Sequence, residues 1–158
     1  MRRLALVAGA TALTLAACGG EAALEADRPA ALNPPPAEVA QAPLEADVAG
    51  ATVRAQARAW RDVQPYAGGG GLPRCANLCA VIDLVAVDGR DLRRLEVEEL
   101  WAVRDDGAGE FERLVVREVS GGLEVTGRRG PRTEAGRRIT LVVGLAGPGG
   151  TVAYARTA

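Results

Sequence analysis

From residue 51 onward the chain is a series of short β-favouring runs separated by glycine turns, and that punctuation limits its fold more than any other feature. RITLVVGLA (138–146) alternates Ile139, Leu141, Val143 and Leu145 with other residues, the period-two pattern of a half-buried strand. Gly147-Pro148-Gly149-Gly150 then turns the chain into TVAYART (151–157). Earlier runs read the same way. ATVRAQARAW (51–60) places Val53, Ala55, Ala57 and Ala59 on one face, although so much alanine leaves a helix open. CAVIDLVAV (79–87) is an apolar strand ended by Asp88-Gly89, and RRLEVEELWAVR (93–104) puts Leu95, Val97, Trp101 and Val103 on a face broken by Glu99. Asp105-Asp106-Gly107-Ala108-Gly109 is a hairpin signal, followed by EFERLVVREV (110–119), Gly121-Gly122 and LEVTGR (123–128). Residues 60–73, with four consecutive glycines, read as a long loop. About seven strands at this spacing predict an all-β antiparallel sandwich over 51–158, with a small barrel as the rival arrangement.

The stretch before it has a different texture. Residues 19–50 are rich in Ala, Pro and Glu, hold no aromatic residue, and set six acids against one arginine. Like charge and prolines argue against a packed core, and Pro34-Pro35-Pro36 favours extended geometry. Residues 18–50 are therefore expected to be a flexible tether, with a short helix near 38–47 as the alternative.

At the start, Met1-Arg2-Arg3 precedes an apolar run from Leu4 to Ala17. That run is shorter than the roughly 20 residues a helix needs to span hydrocarbon, and its charged start fits an export signal. Leu15-Ala16-Ala17-Cys18 resembles the lipobox of bacterial lipoproteins. The resemblance implies a signal peptide over 1–17, cleavage before Cys18, and acyl chains such as palmitate on that cysteine. Two or more chains hold a protein stably at a bilayer, so the membrane partner is reached through lipid. A plain signal peptide is the other reading. In a Gram-negative host, Gly19 in place of aspartate implies the outer membrane, facing the periplasm. The closing segment GRRITLVVGLAGPGGTVAYAR (136–156) resembles immunoglobulin-like or fibronectin-III-like modules of exported bacterial proteins, without the widely spaced cysteine pair of antibody domains. That resemblance implies an architecture, not an activity.

Composition removes much chemistry. All nineteen basic residues are arginine, histidine is absent, and Ser120 is the only serine. No Ser-His-Asp or Cys-His site and no Schiff-base lysine can be assembled from this chain. The expected function is a non-enzymatic binding or structural accessory module of the cell envelope, needing no cofactor and no small-molecule substrate. Its partner would be an envelope protein or an acidic envelope polymer. Residues 51–158 carry sixteen arginines and fourteen acids, too little excess charge for nucleic acid, and five aromatic residues in the whole chain offer no base-stacking platform.

Several residues invite specific roles. Cys75 and Cys79, so close in an exported chain, predict a disulfide; the alternative is metal or redox handling by the same pair. GRRGPRTEAGRR (127–138) gathers Arg128, Arg129, Arg132, Arg137 and Arg138 in one expected loop, where guanidinium forks could grip phosphate or carboxylate. The plainer reading is a solvated loop. Glu96 and Glu98 would share a strand face about 7 Å apart, a spacing met in glycosidases but more often a solvated row. Asp88, Asp91, Asp105 and Asp106 sit in turns, in no calcium-loop frame. Trp101 is expected to fill core; Trp60, beside the glycine loop, could be core or surface.

Overall fold

The computed structural model describes residues 32–62 and 75–158. The described residues form one short helix, α1 (Ala37–Ala40), and ten strands: β1 (Glu45–Val48), β2 (Ala51–Asp62), β3 (Cys75–Ala86), β4 (Glu96–Arg104), β5 (Gly107–Glu110), β6 (Arg113–Val119), β7 (Gly122–Arg128), β8 (Arg132–Glu134), β9 (Thr140–Ala146) and β10 (Val152–Arg156). The larger sheet runs β1-β2-β3-β7-β6, with β8 continuing the β7 side of β3; the smaller runs β10-β9-β4-β5. All pairings are antiparallel, and the two sheets form a sandwich.

Alternation explains the core. From the larger sheet Val53 and Ala55 of β2, Leu78, Ala80, Ile82 and Leu84 of β3, and Leu123 and Val125 of β7 point inward. Leu100 and Ala102 of β4, Leu141, Val143 and Leu145 of β9, and Ala155 of β10 meet them. Burying each large aliphatic side chain contributes about 1.5–3 kcal/mol. Phe111 closes one end, and it fits because Gly127 and Gly130 lack side chains: a Cβ on Gly130 would lie 2.6 Å from the Phe111 ring.

Where the expected strands differ from those observed, the causes are local. EFERLVVREV does not form one strand. The chain leaves the smaller sheet after Glu110 and enters the larger at Arg113, with the Phe111 amide donating to the Leu100 carbonyl at 2.9 Å. The arginine-rich stretch is not simply a loop, because Arg132–Glu134 pairs with Cys75–Asn77 and Thr133 is buried. In β4 the register passes from Val97↔Leu145 to Glu99↔Gly144, leaving Glu98 as the extra residue of a bulge. The bulge reverses parity, so Val97 faces the inter-sheet core while Trp101 and Val103 face the other way.

The domain starts earlier than residue 51. Ala108 donates its amide to the Asn33 carbonyl at 2.8 Å on the β5 edge, and Arg156 donates to the Pro43 carbonyl at 2.7 Å on β10. Residues 33–43 thus cross the outer face of the smaller sheet as a strap. Val39 and Ala42 are buried there with Val142, against Trp101, Val103 and Tyr154. The chain then pairs with β2 as β1, register Glu45↔Arg54 to Val48↔Ala51. The tether expectation fails over this portion because the few apolar residues of an otherwise acidic stretch are spaced to cover a second apolar face. Residues 1–31, with the signal, Cys18 and the rest of the expected tether, and 63–74 lie outside the described residues. Among the described residues no helix is long and apolar enough to cross a membrane.

Candidate functional site

The outer face of the larger sheet collects the polar side chains that alternate with the core positions. Its rungs follow from the registers. One rung reads Gln56, Asp83, Glu124 and Arg117, and the next reads Arg58, Val81, Thr126 and Val115. At its end, the same face pairs Trp60 with Cys79 across β2 and β3, and Arg128 with Arg113 across β7 and β6. Trp60 is 49 % exposed and Val115 46 %, so this end of the face is open to solvent.

Charge is distributed unevenly over it. Arg117 stands opposite Glu124, an opposite-charge pairing across β6 and β7. Four residues further along the same two strands, Arg113 stands opposite Arg128, and both are exposed. Like charges directly opposite one another destabilise a sheet, with Cβ atoms about 5 Å apart. Most other arginines nearby have an acidic neighbour. Arg58 lies 3.9 Å from Asp83, Arg129 lies 3.7 Å from Glu112, and Arg137 lies 3.9 Å from Glu134. Among the described residues no ion pair involves Arg113 or Arg128.

The expected arginine stretch is divided among several elements. Arg128 belongs to the outer sheet face. Arg129 has a left-handed backbone, φ +54°, and holds the turn that carries the chain away from β7. Arg132 lies within β8 and is half-buried, its carbonyl accepting a 3.3 Å bond from Arg104 Nη1. That guanidinium, 7 % exposed, also chelates Asp106 through Nε and Nη2, each at 2.8 Å. Arg137 borders a groove of about 370 Å³ with Trp60, Leu78, Thr133, Glu134 and Ile139. Arg138 is exposed beyond it. Arg113 was invisible in the linear motif, yet counting outward from the Ser120-Gly121 turn would have paired it with Arg128.

Other expected sites are differently arranged. Cys75 and Cys79 lie on one continuous strand, where four residues advance the backbone by about 13 Å. A disulfide needs Cα atoms within about 7 Å, and along this strand the two cysteines are not at that distance. Cys79 is itself buried, on the outer side of β3. Each turn aspartate with a resolved partner faces an arginine two residues away: Asp88 with Arg90, Asp91 with Arg93, Asp106 with Arg104. Arg93 donates to Asp91 from its side chain and its amide, holding that carboxyl down at about 2. Arg104 likewise lowers Asp106. Glu96 and Glu98 are exposed and separated in register by the bulge. Among the described residues no group of three potential metal ligands comes together.

Trp101 packs under the strap rather than between the sheets. Its indole N–H donates to Glu99 Oε2 at 2.7 Å, and the Tyr154 hydroxyl donates to Glu99 Oε1. That bond, then burial and the charges of Glu99, Glu38 and Glu110, push the Tyr154 phenol up to about 12. Comparison with protein-family models, curated proteins and solved structures finds no match.

Proposed function

We propose that this protein is a lipid-anchored envelope lipoprotein whose sandwich is a non-enzymatic binding module for an acidic envelope component. The observation that carries the reading is the open end of the larger sheet, where Arg113 and Arg128 face each other with no ion pair among the described residues and Trp60 is half-exposed on the same face. Such a face suits recognition rather than turnover: guanidinium forks bind anions without a nucleophile or proton shuttle. The lipobox-like Leu15-Ala16-Ala17-Cys18 supports the anchor, and in a Gram-negative host Gly19 favours the outer membrane.

In-cell crosslinking of the tagged full chain, followed by mass spectrometry of bait and companions, tests both halves. Wild-type protein should fractionate with membranes and bring down an acidic polymer or a stoichiometric partner. Cys18→Ala should leave the membrane fraction. Unchanged membrane association of that variant contradicts the lipid anchor, and a bait recovered without any companion contradicts the binding role.

A further inference from the structure

We infer that Arg113, Arg128 and Trp60 form a binding site for a phosphorylated sugar, the phosphate held between the two guanidinium groups and the sugar ring lying toward the indole. This deepens the binding-module reading and rests on it.

The charge argument selects the ligand. Two facing arginines, with no ion pair among the described residues, supply two positive charges about 5 Å apart at their Cβ atoms. A phosphomonoester carries about −1.5 to −2 and three acceptor oxygens, so it neutralises both groups and accepts a fork from each. A single carboxylate neutralises only one. The repulsion that the sheet tolerates here, beside an opposite-charge pairing on the same strands, is thereby removed by the ligand itself.

The neighbourhood extends the site beyond a bare anion. The β3–β7 register ends at Ala80↔Gly127; Arg128 and Cys79 are the next residues along their strands, and Cys79 pairs with Trp60. Only β3 lies between β2 and β7, so Trp60 and Arg128 stand near the same end of the face, two strand spacings or about 10 Å apart. That distance fits one hexose between a phosphate and a ring. Val81, Thr126 and Val115 on the adjoining rung form a floor with no formal charge, bordered by the exposed Arg58. A free phosphate would use the arginines alone; a sugar phosphate uses the indole as well.

The test uses the full chain processed at Cys18, in detergent micelles. Its retention is measured on a mannan bearing phosphomonoesters and on the same mannan after phosphatase treatment. Retention on the first and not the second is expected, falling at least tenfold in Arg113→Gln and in Arg128→Gln and severalfold in Trp60→Leu. Arg129→Gln, whose arginine neighbours Glu112, should stay within twofold of wild type. Each of the two arginine variants should melt at or above wild type, since it relieves the repulsion. Should either fail to fold, the wild type still decides: its melting midpoint should rise with phosphorylated mannan and not with the treated polymer. Equal retention on both polymers, no loss in the arginine variants, or protection by inorganic phosphate with no response to the mannan would overturn the proposal. Because membrane association of Cys18→Ala is scored separately, failure of this site is distinguishable from failure of the anchor.

Discussion

The Tyr154 hydroxyl donates to a carboxylate oxygen of Glu99 from the neighbouring part of the smaller sheet, beneath the strap formed by residues 33–43. Glu99 is the residue that breaks the apolar pattern of β4, and it follows the bulge that turns Trp101 outward. One carboxylate therefore satisfies both aromatic donors on a face that would otherwise be exposed.

This pair predicts an alkaline limb in the stability curve. The folded-state value of Tyr154, about 12, lies above its ordinary 10.0, so folding favours the neutral phenol. Its contribution is fully present below pH 10 and is lost as pH rises toward 12. Thermal melts across that window should show the decline in wild type and a shallower one in Tyr154→Phe. At neutral pH the variant should lose about 1.5–3 kcal/mol, the worth of a hydrogen bond to a charged acceptor. A phenolate titration in Glu99→Ala should move back toward 10.

The strap should behave as part of the fold. Val39 is 2 % exposed, and trimming it to alanine should destabilise by about 1–2 kcal/mol in urea unfolding. A flexible spacer would make the substitution silent.

Gly122 and Gly89 give a paired test of the β3–β7 approach. A Cβ on Gly122 would fall within bonding-scale distance of the Leu84 carbonyl oxygen, and both sides of that contact are backbone. Gly122→Ala should cost about 3 kcal/mol or prevent folding. Gly89 has φ +72° with open space around it, so its alanine variant should cost only about 1–2 kcal/mol of backbone strain. Equal losses would mean that the strand pairing is wrong.

The cysteines supply a chemical test. Protein purified without reductant, then denatured and alkylated, should give peptides carrying the label on both Cys75 and Cys79. A peptide in which the two are joined would require β3 to be broken between them.

The sheets were legible because period-two alternation and glycine turns state strand and loop directly, as at Ile139, Leu141, Val143 and Leu145. Three things were hidden for reasons of geometry. A bulge has no reliable signature in one sequence, so Trp101 could not be assigned its face from alternation. The strap reads as tether because its burial depends on a second, outward apolar surface on β4 and β9. The Arg113–Arg128 pairing is a relation across a hairpin, whereas along the chain Arg128 stands within a linear arginine cluster that does not include Arg113. Two of its five arginines hold local structure: Arg129 a turn, Arg132 a strand.

The measurement that most directly tests the lipoprotein proposal is the mass of the amino-terminal peptide of the protein purified from its native host. A peptide beginning at Cys18 and carrying a thioether-linked diacylglycerol is the predicted result. A peptide that retains Leu15-Ala16-Ala17, or an unacylated Cys18, would contradict it.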